Sequence, residues 1–243
     1  MAKKTAIVSG GATGIGAGVV HRLCADGYSV MILYHHSKEK AEALLSQLIA
    51  SGCDAAICHC DVASTADAEA AVRVTAERFG TVDLLVTCAG IAKSGLLTDH
   101  SDGDVYDLMN VNFGGTLRLC RAVYPYMVAA KSGCIVTVSS VWGEAGASCE
   151  SVYASSKGAV IALTKSLSAE LAPSGIRVNC VSPGVIRTDM LNCYSEEDLS
   201  ALAADTPLLR LGTPQDVADA VSFLAASPFV TGQVLRVDGG FLS

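Results

Sequence analysis

Short, continuously apolar, β-branched runs alternate along this chain with longer stretches of helical periodicity, and that alternation most constrains its fold. The runs are 5–9, 29–34, 55–61, 84–88, 134–139, 177–182 and 234–237. A strand with one wet face alternates polar and apolar residues, whereas a strand covered on both faces is apolar throughout. Runs of this kind separated by helices predict an α/β, doubly wound parallel sheet of about seven strands, with helices on both faces. Ser37 is placed to cap a helix reaching Gly52, and Ser64 or Thr65 opens another that stops at Phe79-Gly80. No linker, repeat or low-complexity stretch interrupts the chain, so residues 1–243 are expected to form one domain. The longest interval without a strand runs from Pro183 to about Gly232. It should hold the element that covers a ligand at the carboxyl ends of the strands, a lid within about 186–212.

A glycine-rich turn, Gly10-Gly11-Ala12-Thr13-Gly14-Ile15-Gly16, directly follows the first run. With no side chains in the way, a pyrophosphate can approach the backbone, and a helix starting near Gly14 aims its free N–H groups at it. A plain tight turn would look the same in isolation, so the Rossmann-type reading needs company. Asp61-Val62 ends the third run, where a carboxylate can accept from an adenine amino group or else cap the next helix. Ala89-Gly90 ends the fourth, where small residues admit a ribose or merely turn the chain. The second run ends Tyr34-His35-His36-Ser37-Lys38, without the acid that usually holds a ribose 2′-hydroxyl. A 2′-phosphate would meet those residues instead, so NADP(H) is expected over NAD(H). The other reading of the His pair is a solvent-facing turn.

Tyr153 and Lys157 stand four residues apart in a helical stretch, with Ser140 at the end of the fifth run. Reducing a ketone needs a hydride for carbon and a proton for oxygen. A tyrosine near pKa 10 becomes a useful acid–base group when an ammonium one turn away stabilises its phenolate. Lys157 is spaced for that task and has donors left for a nicotinamide ribose, and Ser140 can bond the substrate oxygen. The plainer reading is an exposed helix pair and one hydroxyl in a Ser-rich turn.

Composition removes other classes. Net charge is −7 with no Lys/Arg cluster, which argues against nucleic acid or an anionic membrane as partner. No apolar run is long enough to span a bilayer, and the cytoplasm is the expected location. The ten cysteines have no Cys-x-x-Cys spacing. In Cys58-His59-Cys60 an extended backbone would point the His away from both thiols, so no metal site is expected and the cysteines read as free, mostly buried thiols.

With these residues in order, the chain resembles the short-chain dehydrogenase/reductase family over essentially its full length. The matches are Gly10 to Gly16, Asp61-Val62, Ala89-Gly90, Asn112, Ser140, Tyr153, Lys157, Arg177-Val178-Asn179, Pro183-Gly184-Val185-Ile186-Arg187-Thr188 and Val237-Asp238-Gly239-Gly240. The resemblance implies a tetrad in which Asn112 holds a water of the proton relay behind Lys157. It also implies that Ile186 and Thr188 meet the carboxamide end of the cofactor, with Pro183 and Gly184 among the cofactor-binding residues, and a homotetramer. The family's usual Asn-Asn-Ala-Gly is Thr87-Cys88-Ala89-Gly90 here, so altered bracing of the fourth strand is expected rather than lost catalysis.

Two branches of the family fit the substrate end. One is 3-oxoacyl-[acyl-carrier-protein] reductase, which needs a basic rim for an acidic carrier; Lys131 offers one cation, and Pro173-Ser174-Gly175 offers none. The other resembles reductases of the 5-aminopentanone modification on elongation factor P. Its signals are the loop 141–150, with Trp142, Glu144 and Glu150, and the acidic segments 99–104 and 196–198, which would suit a cationic substrate. Those acids read equally well as solvated loop and helix-start residues, and Trp142 as a packing group. A non-catalytic, dinucleotide-sensing or scaffolding member of the fold is the alternative from another class; it would show a broken tetrad, and this tetrad is whole.

Overall fold

Alternate residues of the first strand enter two different cores, and that division organises the molecule. The structure, a computed structural model, describes residues 3–192 and 194–242. Ala6 and Val8 of β1 (Thr5–Ser9) face one side, and Ile7 faces the other, all fully buried. The same division recurs in β2 (Ser29–Tyr34), where Val30 and Ile32 oppose Met31 and Leu33. β3 (Ala55–His59), β4 (Leu84–Thr87), β5 (Gly133–Val138), β6 (Ile176–Pro183) and β7 (Val234–Val237) complete one parallel sheet in the order β3-β2-β1-β4-β5-β6-β7. The expected runs thus become strands, with shifted ends. β3 stops at His59 because the N–H of Asp61 leaves the sheet and donates to the Asp67 carboxylate (3.1 Å). β4 stops at Thr87, although Cys88 still donates to the Ser9 carbonyl (3.2 Å).

Three helices cover the first face: α1 (Gly14–Ala25), α2 (Lys38–Ala50) and, near the end of the chain, the helix at Pro214–Ala226. That last helix lays Val217, Val221 and Leu224 into the core at 0–1% exposure. Each such side chain stabilises the fold by about 1.5–3 kcal/mol. The second face is covered by α3 (Thr65–Phe79), by Gly115–Ala130 and by the long helix at Ser151–Leu171. Ser64 caps α3 by accepting from the Asp67 N–H (3.2 Å), and Gly80 ends it at φ 84°. Ser37 holds the cap position of α2 with no side-chain bond, and that helix stops at Ala50, just short of Gly52.

Between β4 and β5 come α4 (Asp102–Leu108), a π-helical turn at Met109–Gly114, and α5 (Gly115–Ala130). Single π turns inside helices cluster at functional sites. After β5 follow α6 (Val141–Ala145) and α7 (Ser151–Leu171). The chain then leaves the carboxyl end of β6 and returns at Gly212. Gly212 pairs with Ile186, accepts from the Arg187 N–H and donates to the Val185 carbonyl (both 2.9 Å). The excursion between these points holds α8 (Glu196–Ala204), and α9 (Pro214–Ala226) follows it. No helix among the described residues is long and apolar enough to cross a membrane. The nine described cysteines are all free, with Cys24, Cys60, Cys120, Cys134 and Cys180 buried; Cys193 lies outside the described residues.

Candidate active site

β1 and β4 are neighbours in the sheet but lie on opposite sides of the point where strand order reverses, the place where open α/β sheets form a ligand crevice. Its floor is the glycine turn. Gly10 and Gly14 adopt φ 60° and 51°, and a Cβ on Gly16 would lie 2.1 Å from the Gly10 carbonyl oxygen. Thr13 holds the cap position of α1 but its side chain makes no cap bond, so the first N–H groups of the helix stay directed at the crevice. Ile15 anchors the turn in the first core. Thr188 lies opposite, its Cγ2 3.3 Å from where a Gly14 Cβ would be. The Gly184 N–H donates to the Val237 carbonyl (3.0 Å), and Pro183 is buried at the end of β6. A closely approached backbone with uncapped donors has the chemistry of a pyrophosphate cradle, so the residues fit a dinucleotide.

The other cofactor positions separate by environment. The half-buried Asp61 carboxylate accepts from the Ala63 N–H (2.9 Å), making a turn ahead of α3 while Ser64 does the capping. Val62 is buried against Gly115. A Cβ on Gly90 would meet Asn112 Oδ1 at 3.2 Å and Lys157 Nζ at 3.4 Å, which ties the end of β4 to the tetrad, and Ala89 donates to Ser9 Oγ (3.2 Å). At the end of β2 the rings of His35 and His36 lie 3.7 Å apart, and Lys38 turns to Glu42 (3.7 Å). His59, which sequence reasoning missed, joins them. β-pairing puts it beside Tyr34, their rings 5.8 Å apart, and its ring is 5.4 Å from that of His35. No motif marks His59; only strand register reveals it.

The four residues of the expected tetrad come from three places in the fold: the π turn, the β5–α6 junction and α7. Asn112, in the π turn and 1% exposed, accepts from the Ile91 N–H (2.8 Å) and donates to the Ile91 carbonyl and to Ser156 Oγ (3.0 Å each). Both amide hydrogens are therefore engaged within the protein. Ser156, a second residue missed from sequence, also donates to the Tyr153 carbonyl (2.7 Å), linking the π turn to α7. Ser140 caps α6 by accepting from the Trp142 N–H (3.2 Å). Lys157 Nζ donates to the Val138 carbonyl (3.1 Å) and sits 5.8 Å from the centre of the Tyr153 ring. Ser139, also unforeseen, donates to the Lys157 carbonyl (2.8 Å).

Electrostatics here differ from the sequence expectation. Burial pushes the Tyr153 phenol up to about 12; Ser140 pulls it down and the Glu150 charge pushes it further up. Burial lowers Lys157 to about 8, partly offset by Cys180 and Cys88. The ammonium turns to a backbone carbonyl rather than to the phenol, so burial decides both directions. The phenol stays protonated at neutral pH.

The substrate-end residues are also redistributed. Trp142 packs edge-on against Phe241 (5.4 Å), and Glu144 pairs with Arg236 (2.9 Å). Asp104 and Asp198 cap their own helices, with Asp104 also bound to Lys93 (2.6 Å), so most of the expected acidic face has local work. Lys131 and Ser174 lie together at the amino ends of β5 and β6, the opposite edge of the sheet from Tyr153. They form no rim to this site within one chain. The altered Thr87-Cys88 pair is accommodated by Ser9, whose carbonyl and hydroxyl accept from Cys88 and Ala89. Thr87 instead meets the Thr116 hydroxyl (3.4 Å).

Comparison with known proteins finds chains of the same length and fold. Residues 10–242 match a family model described as enoyl-(acyl carrier protein) reductase. The uncharacterized oxidoreductase YmfI of Bacillus subtilis (strain 168) is 37% identical over 243 residues, spanning 98% of each chain. The 3-oxoacyl-[acyl-carrier-protein] reductase FabG of Staphylococcus aureus (strain Mu50 / ATCC 700699) is 36% identical over 98% of this chain and 97% of its own. A single-residue variant of the actinorhodin polyketide ketoreductase, solved with NADPH, superposes with a TM-score of 0.94 at 32% identity, over 98% and 97% of the two chains.

Proposed function

The chain belongs to the short-chain dehydrogenase/reductase family, and from that premise we propose that it is an NADPH-dependent ketone reductase using Tyr153 as proton donor. The observation that carries this reading is geometric: the Tyr153 phenol lies within hydrogen-bonding reach of Ser140, Lys157 Nζ is 5.8 Å from the centre of the Tyr153 ring, and the end of β4 at Gly90 ties Lys157 to Asn112. Ser140 orients the carbonyl oxygen, and Lys157, mostly charged at pH 7, stabilises the phenolate that forms. Asn112 holds Ile91 and Ser156 in place behind them. The nicotinamide cofactor, when bound, supplies the hydride to carbon.

In this reading Gly10, Thr13, Gly14, Ile15 and Gly16 hold the pyrophosphate, Asp61 and Val62 the adenine, and Ala89 and Gly90 a ribose. Tyr153 and Lys157 hold the second ribose, and Pro183, Gly184, Ile186 and Thr188 the carboxamide end. NADPH is favoured because Tyr34, His35 and His36 meet the 2′-position with no acid between them. The segment 186–212 serves as the substrate lid of a single-domain, cytoplasmic enzyme.

The names of its relatives favour a 3-oxoacyl thioester on an acyl carrier protein. Since Lys131 lies at the far edge of the sheet, a carrier docked there would serve the site of another copy. That agrees with a homotetramer, for which exposed Tyr106, Leu117 and Tyr126 on α4 and α5, and Phe223 on α9 with Phe229 just beyond it, leave apolar faces. A second reading, the 5-aminopentanone group on elongation factor P, is favoured by the carboxylate of Glu150 near Tyr153. Tyr153→Phe should abolish reduction of an acetoacetyl thioester while NADPH still binds; retained turnover would refute the proton-donor role. NADH used as efficiently as NADPH would refute the cofactor preference.

A further inference from the structure

The corner of the sheet where β2 and β3 end side by side carries polar groups with little work inside the protein. Strand register sets His59 opposite Tyr34, their rings 5.8 Å apart. The His59 ring lies 5.4 Å from that of His35, which in turn lies 3.7 Å from that of His36. All three imidazoles are exposed. Among the described residues the rings of His35 and His36 have no hydrogen bond or ion pair, and His59 meets only Asp67, its Nδ1 4.0 Å from that carboxylate.

The other charges at this corner are committed. Asp67 accepts from the Asp61 N–H (3.1 Å) and from the Ser64 hydroxyl (2.9 Å), which tie it to the start of α3. Those two bonds, with His59 and His35 adding to them, hold its carboxyl below the ordinary range, so it stays charged. Asp61 accepts from the Ala63 N–H (2.9 Å), and Glu39 stands exposed in the first turn of α2. The Cys58 thiol, pushed up by burial, stays neutral. Lys38 pairs with Glu42 (3.7 Å) and Lys40 with Asp189 (2.6 Å). With both lysines matched by acids, positive charge for an anion at this corner comes from the imidazoles. Histidine takes on that charge as pH falls from about 8 to about 5.

We infer that His59 joins His35 and His36 in holding the phosphate on the 2′-oxygen of the dinucleotide, which makes the choice between NADPH and NADH depend on pH. The inference rests on the NADPH reading and adds to it a residue from a second strand and a direction: preference for NADPH rises with acid. A phosphate monoester keeps both charges down to about pH 6, so above that point the imidazoles, not the ligand, supply the change. A histidine that only packed against Tyr34 would leave nucleotide choice indifferent to pH.

NADPH and NADH differ only by that phosphate, and each is titrated against the protein by fluorescence at about pH 8.5 and about pH 6.5. The ratio of dissociation constants should move toward NADPH by about tenfold at the lower pH. Calorimetry in buffers of different ionisation enthalpy, at about pH 7.5, should show more proton uptake with NADPH than with NADH. His59→Gln, folded by circular dichroism, stays polar but cannot take the charge. It should cut the gain to about threefold and lessen the uptake. An NADPH preference that is flat over this range, or a gain unchanged in His59→Gln, would overturn the inference alone. NADH bound as tightly as NADPH at both pH values would overturn the cofactor preference and this inference with it.

Discussion

Replacing Asn112 by alanine would remove three hydrogen bonds at once, the one to Ser156 fully buried and the two to Ile91 part-buried. The Ile91 N–H, the Ile91 carbonyl and Ser156 Oγ would each lose a partner at a position only 1% exposed. A net bond is worth about 1 kcal/mol and an unsatisfied buried group costs about 1–3. The expected loss is therefore roughly 3–5 kcal/mol, which for a chain of this size lowers the melting temperature by roughly 6–15 °C. Ser156→Ala removes only one of the three and should cost about 1 kcal/mol. Because Gly90 lies between Asn112 Oδ1 and Lys157 Nζ, the release also loosens the floor under Lys157 and Tyr153. kcat should fall about 100-fold at temperatures where the variant is still folded. Urea titrations followed by near-ultraviolet dichroism, run beside steady-state rates, measure both. A stability loss below about 1 kcal/mol, or no gradation between the two variants, would show that the amide does not join the π turn to β4 and α7.

Gly16→Ala forces a methyl into the Gly10 carbonyl, a backbone atom that cannot swing aside, so the turn must open. NADPH affinity should drop at least tenfold by fluorescence titration, with about 1–3 kcal/mol of stability lost; unchanged binding would mean that the turn is not the pyrophosphate cradle. Alkaline pH should unfold the protein, because burial lifts Cys24, Cys60, Cys88 and Cys120 to about 12 and Cys134 to about 11, so above 9.0 the unfolded chain sheds five protons that the folded one keeps. Lys157, lowered from 10.5 to about 8, opposes this with one proton, so near pH 10 urea midpoints should report a fall of about 5 kcal/mol per pH unit, and a flat profile would contradict the burial of the thiols.

The fold was legible because both faces of the sheet are covered, which leaves β1 and β2 apolar without interruption, and because Ser64 and Gly80 announce their helix ends. Gly10 to Gly16 and the Tyr153–Lys157 pair were legible because their chemistry is local in sequence. What stayed hidden depends on distant partners. His59 reaches Tyr34 only through strand register, and Ser156 meets Asn112 across 44 positions. Glu144 looked like a free acid until β7 brought Arg236 to it. The direction of the Tyr153 shift was misread for the same reason: spacing gives the neighbour, but burial and the Val138 carbonyl decide where the ammonium turns.

The excursion at the carboxyl end of β6 has a narrow neck, with Ile186 and Gly212 paired where the chain departs and rejoins. Closing such a bulb costs little more as it lengthens, about 0.6 kcal/mol per doubling of residues. Natural variation can therefore remodel its interior freely while the neck keeps Thr188 facing Gly14. A graft from a distant relative, spliced at those two positions, should change which molecules are admitted and leave the redox apparatus beneath unaltered.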